Sequence, residues 1–133
     1  RARLLSSLGL ALLKHGAKVS HAAEAAELLR EASKLDPGRW SVWHTLARAL
    51  GRLEKDAVGD AERRILEERI GALYEATRLK PKEASNLYRL ALAYIRAEDG
   101  HDAETIEALE RYLELADEQG AAKGATEGGA EGP

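Results

Sequence analysis

The sequence predicts an all-α fold, a stack of three helix-turn-helix hairpins, and two observations carry that prediction. The first is an internal echo. Residues 32–50, ASKLDPGRWSVWHTLARAL, recur in altered form at residues 76–94, ATRLKPKEASNLYRLALAY. Ala32 aligns with Ala76, Leu35 with Leu79, Pro37 with Pro81, Trp43 with Leu87, Leu46 with Leu90, Ala47 with Ala91 and Leu50 with Tyr94. Each copy reads as a helix end, a proline-marked turn and a new helix, because proline lacks an N–H and its ring clashes with the preceding turn. Recurrence with a period of tens of residues is the signature of stacked repeats. The second observation is composition: 44% of residues are hydrophobic but only 5% aromatic, and 32% are charged. The core must then be built from Leu, Ala and Ile, and a chain rich in Ala, Leu, Glu and Arg favours helix intrinsically.

The elements follow in order. A first helix is expected over residues 3–15, with Leu5, Leu8 and Leu12 at helical spacing and Gly16 as a left-handed cap. Ser20 is the expected N-cap of a second helix over 21–35, where Ala22, Ala25, Ala26, Leu29, Ala32 and Leu35 form an apolar stripe. After the DPGR turn, a third helix over 40–54 turns Trp43, Leu46, Ala47 and Leu50 inward, and Trp40 packs on the turn at its start. The stretch 55–60, KDAVGD, reads as a loop, with Asp60 capping a long fourth helix over 61–80. Ile65, Ile70, Leu73, Ala76 and Leu79 are its apolar positions.

A fifth helix over 83–97 should end in the loop Glu98, Asp99, Gly100. Asp102 is the expected cap of a sixth over 103–118, which turns Ile106, Leu109, Tyr112, Leu113 and Ala116 inward and leaves Glu104, Glu107, Glu110 and Glu114 in water. The Gly/Ala/Glu-rich end, residues 119–133, has no apolar periodicity and is expected to be a disordered tail. Stacked repeats need a polar capping helix at their end. Here the acidic face of the sixth helix must serve, or another surface must cover it.

These residues resemble the tetratricopeptide repeat, a helix-turn-helix unit of about 34 residues with a W-x2-L-G-x2-Y…A-x3-F…P pattern. Copy one is Leu5-x2-Leu8-Gly9-x2-Leu12, then Ala25-x3-Leu29, Ala32 and Pro37. Copy two is Trp43-x2-Leu46-Ala47-x2-Leu50, then Arg69-x3-Leu73, Ala76 and Pro81. Copy three is Leu87-x2-Leu90-Ala91-x2-Tyr94, then Thr105-x3-Leu109 and Tyr112, with Asp117 where the proline would fall. Only copy one keeps the glycine, only copy two the tryptophan, and copy three lacks the proline. The resemblance implies a right-handed α-α superhelix over 1–118, with repeats near 3–38, 39–82 and 83–118.

Function classes narrow quickly. The formal charge of −3 argues against a nucleic-acid binder, whose affinity would come from neutralising phosphates. With no cysteine there is no disulfide or thiolate chemistry. No apolar run reaches the roughly 18 residues of a membrane span. The chain begins at Arg1 and contains no Met, so it reads as a fragment or processed product; RARLLSSLGLALLK fits a first repeat helix better than a signal segment. His21 and Glu24 share a helix face but have no third ligand, so no metal is expected, and no cofactor. Without a glycine-rich phosphate loop or a nucleophile-base pair, an enzyme is not expected.

In the family resembled, the first helix of each pair lines a concave groove in which peptides dock. That implies Ser6, Leu10 and Leu13 from copy one; Ser41, His44, Arg48 and Arg52 from copy two; and Ser85, Tyr88, Arg89, Leu92 and Arg96 from copy three. The four arginines would form a basic strip beside Tyr88 and Leu92, suited to acidic groups because the planar guanidinium pairs with carboxylates in a fork. The chaperone-binding members' clamp of two Lys, two Asn and one Arg falls on Ser6, Leu10, Thr45, Ser85 and Arg89, of which only Arg89 agrees. The sequence thus predicts a cytoplasmic protein-interaction scaffold or adaptor that takes a peptide or partner helix, acidic in character. The alternative is a self-assembling protein whose last or fourth helix joins copies into a homo-oligomer.

Overall fold

The computed structural model describes residues 1–97 and 101–131, with side-chain surroundings described as far as Gln119. It consists of six helices: α1 Ala2–His15, α2 Val19–Leu35, α3 Trp40–Asp56, α4 Asp60–Leu79, α5 Ala84–Ala97 and α6 Asp102–Glu131. There is no strand among the described residues. Each helix packs on the next in sequence, and α1 also touches α3. That is the contact pattern of hairpins stacked in a row. No helix among the described residues is long and apolar enough to cross a membrane.

The core is aliphatic, as the composition requires. Ala22, Ala25, Ala26, Leu29 and Ala32 of α2 are fully buried, together with Val42, Ala49 and Leu50 of α3 and Leu73 and Ala76 of α4. Alanine and glycine let helices approach closely: a Cβ on Gly9 would lie 2.8 Å from Leu29 Cγ. The turns lock onto the helices through Trp43, whose Nε1 donates to the Pro37 carbonyl at 2.9 Å. Trp40 begins α3 with its ring 5.6 Å from that of His44 and under Lys80 Nζ, 4.2 Å away, so it ties this helix to the turn after α4.

Several helix ends differ from the sequence expectation. Gly16 is extended (φ −98°, ψ 125°) rather than left-handed. Its lack of a side chain serves a close approach instead, since a Cβ there would lie 2.4 Å from the His21 ring. The N-cap of α2 is Lys18, not Ser20: His21 Nδ1 accepts the Lys18 N–H at 3.2 Å, so an imidazole supplies the capping acceptor. At α4 the cap is Gly59, with φ 64° and ψ −135°, which only glycine adopts readily. Asp60 is the first helical residue, favourable beside the positive end of the helix dipole.

Ile106 and Leu113 of α6 do not point inward but are exposed, because α6 packs on α5 and no following hairpin covers its other side among the described residues. Ala108 is the buried residue of this helix among the described side chains. The backbone of α6 is helical through Glu131, beyond the boundary at 118, while its side chains past Gln119 lie outside the described residues, as do residues 132 and 133. Residues 119–131 of the expected disordered tail are thus helical in backbone, while residues 132–133 and the expected loop at 98–100 lie outside the described residues.

Candidate functional site

The helices bring cationic side chains from three elements to one surface cavity of about 270 Å³. Its walls are Leu13 of α1, Ala47, Arg48, Gly51, Arg52 and Lys55 of α3, Arg69 and Leu73 of α4, and Arg89 of α5. Every ionisable side chain lining it is a cation, in a chain whose formal charge is −3.

The arginines differ in what holds them. Arg52 donates to the carbonyls of Leu13 (2.9 Å) and Gly16 (2.7 Å), acceptors left orphaned at the C-terminus of α1. This fixes its guanidinium and fastens α1 to α3. Arg96 is drawn away from the cavity to Glu54 and to Glu62, at 3.4 Å from the latter. Glu54 is almost fully buried and also faces Arg69, whose Nε lies 3.1 Å from Oε1. That second contact is off the line of a hydrogen bond, so it acts as a Coulombic contact. Burial pushes the Arg69 guanidinium below its ordinary pKa, Glu54 pulls it back up, and Arg96 and Arg89 push it down. Arg48 and Arg89 are exposed and meet no carboxylate within ion-pair distance among the described residues.

His44 sits beside them, half-buried. Its Nδ1 is 2.8 Å from Oδ1 of Asn86, a fully buried residue of α5. An amide oxygen accepts only, so Nδ1 carries the proton in this arrangement. Burial lowers the His44 pKa, the Asn86 hydrogen bond raises it, and Arg89 and Arg48 lower it further. Asn86 Nδ2 is buried without a protein partner among the described residues.

Of the residues expected in the groove, the fold gathers Arg48, Arg52 and Arg89 around the cavity with Leu13, and His44 is coupled to the two exposed arginines, Arg48 and Arg89. Ser41 is partly buried, and its carbonyl accepts the Thr45 hydroxyl at 2.7 Å. Ser85 is exposed and donates to Glu83 Oε1 at 3.2 Å. Tyr88 lies against Tyr112 of α6, ring centroids 5.3 Å apart, and Leu92 is exposed on the same helix. Arg96 does not join the cavity. Lys55 and Arg69 join it without being among the expected groove residues. The sequence places Lys55 in a loop, but α3 runs on to Asp56. Arg69 carries a legible signal: it occupies the small-residue position held by Ala25 in copy one. Gly51 lies opposite, and a Cβ there would be in ordinary contact with Arg69 Nη1 at 3.6 Å.

A second cavity, about 330 Å³, lies between α4, α5 and α6, lined by Tyr74, Thr77, Leu87, Tyr94, Glu104 and Arg111 among others. In the repeat register the positions of Tyr74 and Glu104 are held one pair earlier by Arg30 of α2 and Glu68 of α4, which are joined by paired hydrogen bonds of 2.6 and 2.9 Å.

The arrangement thus defines a stack of helical hairpins with a cationic cavity on one face. The chain is 32% identical over 107 residues to a peroxisomal targeting signal receptor of Pichia angusta. It is 31% identical over 106 residues to receptors of the same name from Debaryomyces hansenii and Candida albicans. The match covers 80% of this chain but only 16% of the first receptor and 15% of the other two. No family model matches the chain.

Proposed function

We propose that this chain is a non-enzymatic protein-interaction module of the tetratricopeptide type, which takes an acidic peptide segment of a partner protein against Arg48 and Arg89. The observation that carries this reading is the cavity whose ionisable lining is entirely cationic. Four features of its chemistry fit a carboxylate ligand. Arg48 and Arg89 have no acidic partner among the described residues, and their planar forks pair with carboxylates in two parallel hydrogen bonds. Arg52 is already fixed by two backbone carbonyls, which satisfy its donors without cancelling its charge. Leu13, Ala47 and Leu73 supply an apolar floor that strengthens charge-assisted contacts by excluding water. The helices that hold these groups are packed before a ligand arrives, which lowers the ordering cost of binding. Similarity to targeting signal receptors supports the same reading, since a receptor of that name recognises a signal carried by another protein.

The test is fluorescence anisotropy with two labelled peptides, one Glu-rich with a free C-terminal carboxylate and one ending in Ser-Lys-Leu, the peroxisomal address. The acidic peptide should bind, weaken with rising salt, and lose at least roughly tenfold in affinity with Arg48→Glu or Arg89→Glu, equivalent to about 1.4 kcal/mol. Binding that ignores both substitutions would overturn the assignment of the cavity. Binding of the Ser-Lys-Leu peptide alone would overturn the acidic preference.

A further inference from the structure

The cavity of about 330 Å³ between α4, α5 and α6 is of a size that holds small organic molecules, whose sites run from about 300 Å³ upward. The same place one repeat earlier shows what such a groove contains when the chain fills it from within. There the Trp43 indole packs on the core and donates its Nε1–H to the Pro37 carbonyl at 2.9 Å. Arg30 and Glu68 join α2 to α4 with hydrogen bonds of 2.6 and 2.9 Å. In the repeat register Pro37 becomes Pro81 and Trp43 becomes Leu87, and both of these residues line the cavity. Leucine is smaller than an indole and has no N–H to offer the Pro81 carbonyl. Tyr74 and Glu104, in place of Arg30 and Glu68, cannot form the ion pair.

Three features of the lining define an occupant. The rings of Tyr74 and Tyr94, with Leu87, Leu90 and Ala108, suit a flat apolar body. The charged groups are Glu104 and Glu107 against Arg78 and Arg111, so opposite signs balance and no net charge selects an ion. The third feature is Thr77, which is 5% exposed and whose hydroxyl is buried with no hydrogen-bond partner among the described residues. Ser33, at the same register position, donates its hydroxyl to the Arg30 carbonyl at 2.7 Å. A buried donor left unpaired is costly, and one lining a cavity is satisfied by an acceptor that enters it.

We propose that this cavity binds a neutral, planar aromatic small molecule of the indole class. Its ring N–H donates to the Pro81 carbonyl, and an acceptor substituent takes the Thr77 hydroxyl hydrogen. The ligand supplies from outside what Trp43 supplies from within the chain one repeat earlier. The site shares no lining residue with the cationic cavity, so it stands whether or not that cavity takes a peptide.

The test is a titration of the isotope-labelled chain with indole-3-carboxamide, followed by amide chemical shifts. Binding should saturate with a Kd of about 1 mM or tighter, with shifts centred on Thr77, Leu87 and Ala108. Benzofuran-3-carboxamide keeps the shape but has an oxygen in place of the N–H. It should bind at least roughly tenfold more weakly, because a site built to accept an N–H rejects the analogue that lacks it. Thr77→Val, which removes an unpaired hydroxyl and leaves the packing volume alone, should also weaken indole-3-carboxamide. Leu87→Trp should refill the cavity and abolish binding while far-UV circular dichroism stays helical. Where that variant does not fold, Tyr74→Arg, at a position 53% exposed, sets a cation in the register opposite Glu104 and should weaken binding instead. Shifts that never saturate, equal affinity for the two carboxamides, or full binding by the folded variants would overturn the proposal.

Discussion

Glu54→Ala isolates the interaction that organises the cationic face. The Glu54 side chain is 3% exposed and lies between Arg69 of α4 and Arg96 of α5, which are 22% and 55% exposed. Removing the carboxylate leaves the partly buried Arg69 beside Arg89 with no anion. Breaking a buried ion pair by deleting one partner costs roughly 3–5 kcal/mol. Arg96 is half in water and can rehydrate, so its contact adds little, and the expected loss is about 3 kcal/mol. Arg69→Ala removes the stranded cation and restores the small residue that the register holds in copy one, leaving Glu54 its contact with Arg96. Its expected cost is about 1–2 kcal/mol. The double variant should lose less than the sum, because no guanidinium is then left buried alone. Urea unfolding followed by tryptophan fluorescence and far-UV circular dichroism measures each value from the midpoint at constant slope. A Glu54→Ala variant within about 0.5 kcal/mol of wild type would refute the argument, as would strict additivity.

Two further predictions test the packing and the histidine. Gly9→Ala should destabilise by about 1–3 kcal/mol by forcing fully buried Leu29 aside, whereas Gly71→Ala, with nothing within 4 Å, should gain up to about 1 kcal/mol of helix propensity. Thermal unfolding of the pair compares them directly, and equal shifts would contradict the close α1–α2 approach. Burial holds the His44 pKa below its ordinary 6.5, so the unfolded chain binds the proton more readily. The stability contributed by neutral His44 is then complete above 6.5 and falls as pH drops below it toward the lowered folded value. Urea midpoints at about pH 7.5 and 5 should separate more in wild type than in His44→Gln, with Arg48, Arg89 and Glu83 as the charged neighbours in both. An unchanged pH slope in His44→Gln would remove His44 as the cause.

How much of this was legible follows from which signals are periodic. Helix order and the α2 core stripe rest on apolar spacing and proline position, and all six helices appear at the expected places. Helix ends depend on single contacts that spacing does not encode. Ser20 has the right side chain for a cap, but the His21 imidazole, admitted by Gly16, starts α2 earlier. Ile106 and Leu113 fit an inward helical stripe, yet whether such a row is buried depends on a following hairpin, and none covers it among the described residues. At the site, the register placed Arg48 and Arg89 on the face where the cavity opens. It could not say that Arg52 would cap α1 or that Arg96 would turn to Glu54, because those choices are made between helices.

The partition of these arginines ties stability to the proposed peptide binding. Glu54 is the carboxylate that offsets Arg69 and Arg96, so the remaining cations, Arg48, Arg52, Lys55 and Arg89, repel one another across the cavity. A convergent set of like charges weakens the free protein and favours an incoming anion for the same reason, since the anion relieves the repulsion. Neutralising Arg48 or Arg89 would ease the repulsion while removing the fork proposed above to pair with an acidic peptide, so the proposed function predicts a conflict between stability and binding at these two positions. His44 belongs to this balance. It donates to the Asn86 amide as a neutral ring and adds no charge near neutral pH; on acidification a proton at Nε2 would add to the cationic field of the groove, opposed by burial and by Arg48 and Arg89, while the Nδ1–H bond to Asn86 is kept.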